Sequence, residues 1–259
     1  MTARSQVGAN GHPPGGGSNS DGFREEVKRA WQGTLPERYE QTVANFLELA
    51  TPNLTPGVRI LDVGAGKTPV FSPDMRPAGC EYVGLDISRS ELEGAAPGSY
   101  DSFEVGDITK RTPQLENGFD FVVTMQLLEH VKSLDDALDN MYAYLRPGGR
   151  MLAQLSGTFS FFALAGRVIP ISVTRALLTW AQRRNPASVF PAYYHHCWAS
   201  AIERITPQWS RVEVIPIWSG SAYLTRSRPL MALNTAYEYW GIAGNHDNLA
   251  THYLIDAQR

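Results

Sequence analysis

Val58-Arg59-Ile60-Leu61-Asp62-Val63-Gly64-Ala65-Gly66 joins an apolar run directly to a glycine turn, the outline of a buried strand that ends at a ligand. Gly64 and Gly66 can adopt dihedrals closed to other residues, and without a Cβ they let the main chain approach a bound molecule closely. A second short apolar strand, Tyr82-Val83-Gly84-Leu85-Asp86, ends in a carboxylate. It falls about twenty residues after the glycines, the spacing at which an acid grips a ribose diol. Together the two stretches outline a nucleotide-type cofactor site. In dinucleotide enzymes a third glycine and a helix N-terminus receive a pyrophosphate. Here the turn runs on as Lys67-Thr68-Pro69, so a pyrophosphate reader is disfavoured. Asp62, at the strand end, suits a cationic or hydroxylated ligand and would repel phosphate.

Outward from this centre, strands are expected at about 58–63, 82–86, 102–105, 119–124 and 149–155, alternating with helices or loops. That alternation produces a doubly wound, parallel α/β sheet. Leu134, Ala137, Leu138, Met141, Tyr142 and Leu145 form one apolar face, and Ser133 with Asp136 three residues on predicts a capped helix start. Phe23 to Ala50 carries helical spacing broken at Leu35-Pro36, which predicts two helices capping the sheet. Val212 to Trp218 reads as a strand, Arg228 to Trp240 as a helix and Leu249 to Ala257 as a last strand.

These ordered stretches resemble the class I S-adenosylmethionine-dependent methyltransferases. Asp62-Val63-Gly64-Ala65-Gly66 is similar to the family's first motif, and Asp86 to the acid ending its second strand. Glu104-Val105-Gly106-Asp107-Ile108 resembles its adenine-side segment, Phe119 to Thr124 with Leu127-Leu128-Glu129-His130-Val131 its fourth motif, and Leu145 to Leu152 its turn into strand five. The resemblance implies a Rossmann-like seven-stranded sheet and S-adenosylmethionine as cofactor, held by Asp62, Gly64, Ala65, Gly66, Asp86, Ile87, Asp107 and Ile108. Gln126 would border the methyl donor or acceptor. The cap helices would cover the cofactor. The aromatic carboxyl-terminal half also resembles a bacterial subgroup that modifies cell-surface sugars, lipid-linked molecules or secondary metabolites.

Residues 157–205 depart from the alternation, with Phe159, Phe161, Phe162, Trp180 and Phe190-Pro191-Ala192-Tyr193-Tyr194-His195-His196-Cys197-Trp198 concentrating aromatic side chains. Pro170 and Pro186 divide the segment into short helices. Following strand five, it would stand over the carboxyl ends of the strands, where open α/β sheets bind ligands, so a helical substrate lid is expected. A second small hydrophobic core would explain most of its phenylalanines and leucines. An interfacial membrane helix is a third reading, because Arg167, Arg175, Arg183 and Arg184 accompany the apolar residues.

The 259 residues suffice for one α/β domain with an addition, and the net charge of −3 gives no basic footprint for nucleic acid. Residues 1–22, rich in Gly, Ser, Asn and Pro, read as a disordered tail. Cys80 and Cys197 are too few for a disulfide framework and no apolar signal segment opens the chain, so a reducing cytoplasm is the expected compartment.

Methyl transfer from a sulfonium needs a nucleophile aligned with the S–CH3 bond, and positioning alone can lower such a barrier by about 7 to 11 kcal/mol. A base is needed only for a hydroxyl or a protonated amine. His130, His195 and His196 are the histidine candidates, and Tyr193 or Tyr194 could orient the acceptor. Histidines and cysteines at zinc spacing are missing, so no metal is expected. The fourth motif also lacks the Asn/Asp-Pro-Pro-aromatic tetrad of amino-methyltransferases, which disfavours a nucleobase or exocyclic amide as acceptor, and the aromatic lid suits a small or lipid-linked acceptor with an apolar or aromatic part. Two other classes stay open: a nicotinamide-dependent oxidoreductase, disfavoured by the absence of a Tyr-x-x-x-Lys pair, and a non-catalytic partner that retains the pocket.

Overall fold

The computed structural model describes residues 19–34, 41–160, 163, 191–219 and 227–259. Seven strands form one sheet: β1 (Arg59–Val63), β2 (Glu81–Asp86), β3 (Ser102–Val105), β4 (Phe119–Met125), β5 (Leu145–Ser156), β6 (Arg211–Ile217) and β7 (His252–Gln258). Their order is β3-β2-β1-β4-β5-β7-β6. β1 to β5 pair in parallel, and β7 runs antiparallel to both of its neighbours, with Leu152 opposite Asp256 and Ile215 opposite Leu254. The order reverses direction between β1 and β4, the kind of switch point at which open α/β sheets carry their ligands.

Alternate residues of each strand enter different layers. Ile60, Tyr82, Phe121, Val123, Leu152 and Leu254 meet Phe46 and Ala50 of helix α2 (Gln41–Ala50) together with Phe71. Leu61, Val63, Val83, Leu85, Val122, Met151 and Ala153 turn the other way, onto Leu134, Ala137, Leu138 and Met141 of α4 (Leu134–Tyr144). The short α3 (Arg89–Glu93) lies between β2 and β3, α5 (Ala199–Arg204) before β6, and α6 (Arg228–Ala243) before β7. Full burial of each large aliphatic side chain contributes about 1.5–3 kcal/mol, so these two layers hold the strand ends in place. The expected cap on α4 is present: Ser133 Oγ accepts the Asp136 N–H at 3.3 Å.

Three boundaries differ from the sequence reading. Helix α1 (Asn19–Gln32) begins inside the stretch expected to be a tail, and it packs on α6, with Ala30 against Met231 and Ala232 and the Phe23 ring 5.2 Å from that of Tyr239. Of the two amino-terminal helices, α2 therefore covers the sheet and α1 covers α6. β5 starts at Leu145 because Leu145 pairs with Phe119 before a register shift carries Arg150 opposite Phe121. Leu249 closes a 3-10 turn, and β7 begins three residues later, at His252. Among the described residues, no helix is long and apolar enough to cross a membrane.

Candidate active site at the carboxyl edge of the sheet

β1, β2 and β4 end side by side, and the turn after β1 sits where they meet. Gly64 and Gly66 have φ of 75° and 54°, the left-handed region that favours glycine. A Cβ on Gly64 would stand 2.9 Å from the Leu127 side chain, so the turn is held down by the loop after β4. A Cβ on Gly66 would meet only Asp86 Oδ2 at 3.9 Å and the Gly64 carbonyl at 4.0 Å. The Gly66 N–H donates to Asp86 Oδ2 at 3.0 Å, and the Ser88 N–H donates to Oδ1 at 2.8 Å. Burial pushes the Asp86 carboxyl up, and these two backbone donors hold it partly down. Each carboxylate oxygen can accept more than one hydrogen bond, so both remain able to receive hydroxyls. The next residue, Ile87, is 63% exposed beside this acid, and Ala65 is buried in the turn.

Asp62 has a different part. Its Oδ2 accepts the Tyr82 hydroxyl at 2.6 Å and the Val70 N–H at 2.8 Å, and the side chain is buried. These bonds pin the end of the glycine turn to the sheet, a supporting role that the sequence reading of Asp62 as a ligand acceptor does not include. Burial pushes its carboxyl up to about 6 from 3.8, with the Tyr82 and Val70 bonds opposing. A carboxyl whose value is raised on folding contributes stability that is full below the unfolded value and lost as pH rises through the folded one. Across that window each step of one in pH costs the wild type up to about 1.4 kcal/mol, so Asp62→Asn should gain on it by about 2 kcal/mol between pH 4 and pH 7. Denaturant melts at the two pH values check this, and a constant gap would mean that Asp62 titrates as a free side chain.

The fourth motif and residues 191–198 are joined by backbone bonds. Tyr193 and Tyr194 both donate their N–H to the Glu129 carbonyl, at 2.8 and 3.1 Å. The Pro191 carbonyl lies 3.0 Å from His130 Nδ1. A carbonyl only accepts, so this contact assigns the proton to Nδ1 and leaves the Nε2 lone pair free to take another. The Glu129 side chain is buried, accepts the Ser156 N–H at 3.3 Å, and is pushed up by burial. Gln126, at φ 58°, accepts the Ser156 hydroxyl at 2.9 Å. Tyr194 is half-buried, and burial with the nearby Glu129 pushes its phenol up to about 12, which keeps it a donor.

The other two histidines turn outward. His195 Nδ1 lies 3.2 Å from the Lys132 carbonyl and His196 Nδ1 3.2 Å from Asp135 Oδ1, both on exposed side chains. On the β3 side, Asp107 Oδ1 receives the Thr109 N–H at 3.0 Å and hydroxyl at 2.8 Å. Ile108 is buried in the core, so only its backbone can border a ligand there. Phe161, Phe162, Pro170, Trp180, Pro186 and Phe190, on which the lid reading leaned, and Arg167, Arg175, Arg183 and Arg184, on which the interfacial-helix reading leaned, lie outside the described residues. Among the described residues, no group of three metal-ligating side chains is placed to share an ion.

Comparison with known proteins agrees with this geometry. Residues 31–204, well over half of the chain, match the family described as methyltransferase domain. A ubiquinone biosynthesis O-methyltransferase of Nitrobacter winogradskyi is 30% identical over 135 residues, covering 51% of this chain and 49% of that protein. A protein of the same name from Xanthomonas axonopodis pv. citri is 28% identical over 156 residues, covering 57% and 65%. The chain thus spans about half of the first curated relative and less than two thirds of the second. Among solved structures, an S-adenosylmethionine-dependent methyltransferase from Mesorhizobium loti superimposes with a TM-score of 0.50 at 18% identity, over 85% of this chain and 100% of that one. Phosphoethanolamine N-methyltransferase 2 of Haemonchus contortus, in complex with S-adenosyl-L-methionine, gives 0.51 at 17% identity over 96% and 61%. At such identities these two structures speak for the fold alone. With the family match over most of its length and the seven-stranded sheet in this order, the chain belongs to the methyltransferase domain family, as a class I S-adenosylmethionine-dependent methyltransferase.

Proposed function

We propose that the protein transfers the methyl group of S-adenosylmethionine to a hydroxyl of a small molecule that carries an apolar or aromatic part. The observation that carries the cofactor half is the Gly66 N–H bond to Asp86 at 3.0 Å, which fixes an acid directly beside an open glycine turn. A ribose diol can donate to Asp86, the exposed Ile87 side chain offers an apolar face to an adenine, and the space over Gly66 suits the amino-acid part. The hydroxyl acceptor is supported by the O-methyltransferase names of the relatives.

The bound sulfonium supplies a methyl group on a neutral leaving group. The chain's own tasks are then to hold that group, to orient the acceptor oxygen and to accept its proton. His130 Nε2 receives the proton in this reading, since Nδ1 is committed to Pro191. Tyr194 orients the acceptor by its phenol.

Asp86→Ala should weaken S-adenosylmethionine binding by about 1.5–3 kcal/mol, the range for losing a charged acceptor, which is about 10- to 150-fold in Kd. Calorimetry reads it directly, and an unchanged Kd would show that Asp86 does not face the ribose. The function as a whole is tested by S-adenosylhomocysteine release with a panel of phenols and aliphatic alcohols as acceptors. Turnover only with amines would replace the hydroxyl by a nitrogen.

A further inference from the structure

We infer that Tyr100 is a positioning residue for the cofactor: from outside the contact surface it fixes the one peptide plane through which the glycine turn meets Asp86, and thereby sets the affinity for S-adenosylmethionine. The inference rests on the cofactor reading of that turn. The Tyr100 hydroxyl donates to the Ala65 carbonyl at 2.7 Å and lies 3.2 Å from that of Gly66. The Ala65 carbonyl and the Gly66 N–H are the two ends of a single peptide unit, which is planar and turns as one body. One end is gripped by Tyr100, the other by Asp86 Oδ2 at 3.0 Å. A rotation of that plane breaks both bonds together, so the phenol opposes any motion that would misalign the acid.

The clamp is itself held. The Tyr100 ring stacks on Tyr82, with centroids 6.1 Å apart and planes 17° from parallel, and Tyr82 lies beneath the Arg76 guanidinium at 3.8 Å from its centroid. Arg76 is fixed in turn by the Phe71 carbonyl at 2.9 Å. The ring reaches this place because residue 84 has no side chain, since a Cβ there would stand 2.9 Å from Tyr100 Cδ1. The glycine of Tyr82-Val83-Gly84-Leu85-Asp86 is thus explained by the tyrosine rather than by the ligand. Burial and the neighbouring Asp62 and Asp86 hold the phenol protonated, so it stays a donor.

The test is Tyr100→Phe, which keeps the stacked ring and removes only the hydroxyl. The Kd and KM for S-adenosylmethionine should rise about three- to tenfold, the value of one hydrogen bond, with kcat at saturating cofactor unchanged. Without ligand, hydrogen exchange at the Gly66 amide should accelerate while that at Leu61 stays as in wild type. The control is Tyr237→Phe, which removes a hydroxyl that donates at 2.7 Å to the Leu249 carbonyl beside α6. It should leave cofactor affinity alone even where it lowers Tm. A Kd in Tyr100→Phe within twofold of wild type, or an equal rise in Tyr237→Phe, overturns the inference. If wild type itself fails to bind, the cofactor reading fails, and the Gly66 exchange rate still decides the clamp: acceleration upholds it and an unchanged rate overturns it.

Discussion

Gly66→Val should abolish S-adenosylmethionine binding while the fold survives. Residue 66 sits at φ 54°, where an L side chain costs about 1–2 kcal/mol, and a β-branched one is the stiffest choice. The first added carbon meets nothing nearer than 3.9 Å, so the protein accommodates it. The two methyl groups beyond it would occupy the space over the turn that the proposed cofactor site gives to the amino-acid part. Gly64 is the poorer test, because its Cβ would strike Leu127 at 2.9 Å and disturb packing as well. For Gly66→Val an unchanged circular dichroism spectrum is expected, with affinity lower by about 100-fold or more, or about 2.7 kcal/mol. Affinity near wild type would remove the glycine turn from the site.

His130→Gln should lower kcat for a hydroxyl acceptor by about 10²- to 10⁴-fold, the usual worth of a positioned base, with the cofactor Kd unchanged. The glutamine amide can still reach the Pro191 carbonyl that His130 Nδ1 approaches at 3.0 Å, so residues 191–198 should stay seated on the fourth motif. Tyr194→Phe in the same assay should cost only the several-fold of one neutral hydrogen bond. A kcat for His130→Gln within a few-fold of wild type would mean that positioning alone drives the transfer and that the proton leaves to water.

The sheet was legible because its strands are short apolar runs punctuated by glycine and acid, and that pattern is local. Ser133 announced α4 for the same reason, since a cap and an apolar face lie within one helix. Asp86 could be found from its spacing to the glycines alone. Long-range partners were not legible. Nothing around residue 19 reveals that α1 will lie on α6, and nothing near Asp62 shows that Tyr82 and Val70 will bond to it. Tyr100 reaches back thirty-five residues to the Ala65 carbonyl, and its sole local trace is Gly84, which reads as an ordinary strand residue until the ring beside it is seen. The histidines show the same limit. His130, His195 and His196 are equivalent in sequence, and only the chain path separates the first, half-buried and bonded to Pro191, from the two exposed ones, bonded to Lys132 and Asp135.

Calorimetric titration of the purified chain with S-adenosylmethionine and, in parallel, with NAD tests the central claim most directly, because the glycine turn and Asp86 are shared in outline by both cofactor classes. S-adenosylmethionine should bind at one site per chain with a Kd between about 1 μM and 1 mM, the ordinary range for an enzyme's substrate, and NAD should give no saturable heat. Saturable binding of NAD with none of S-adenosylmethionine would contradict the account.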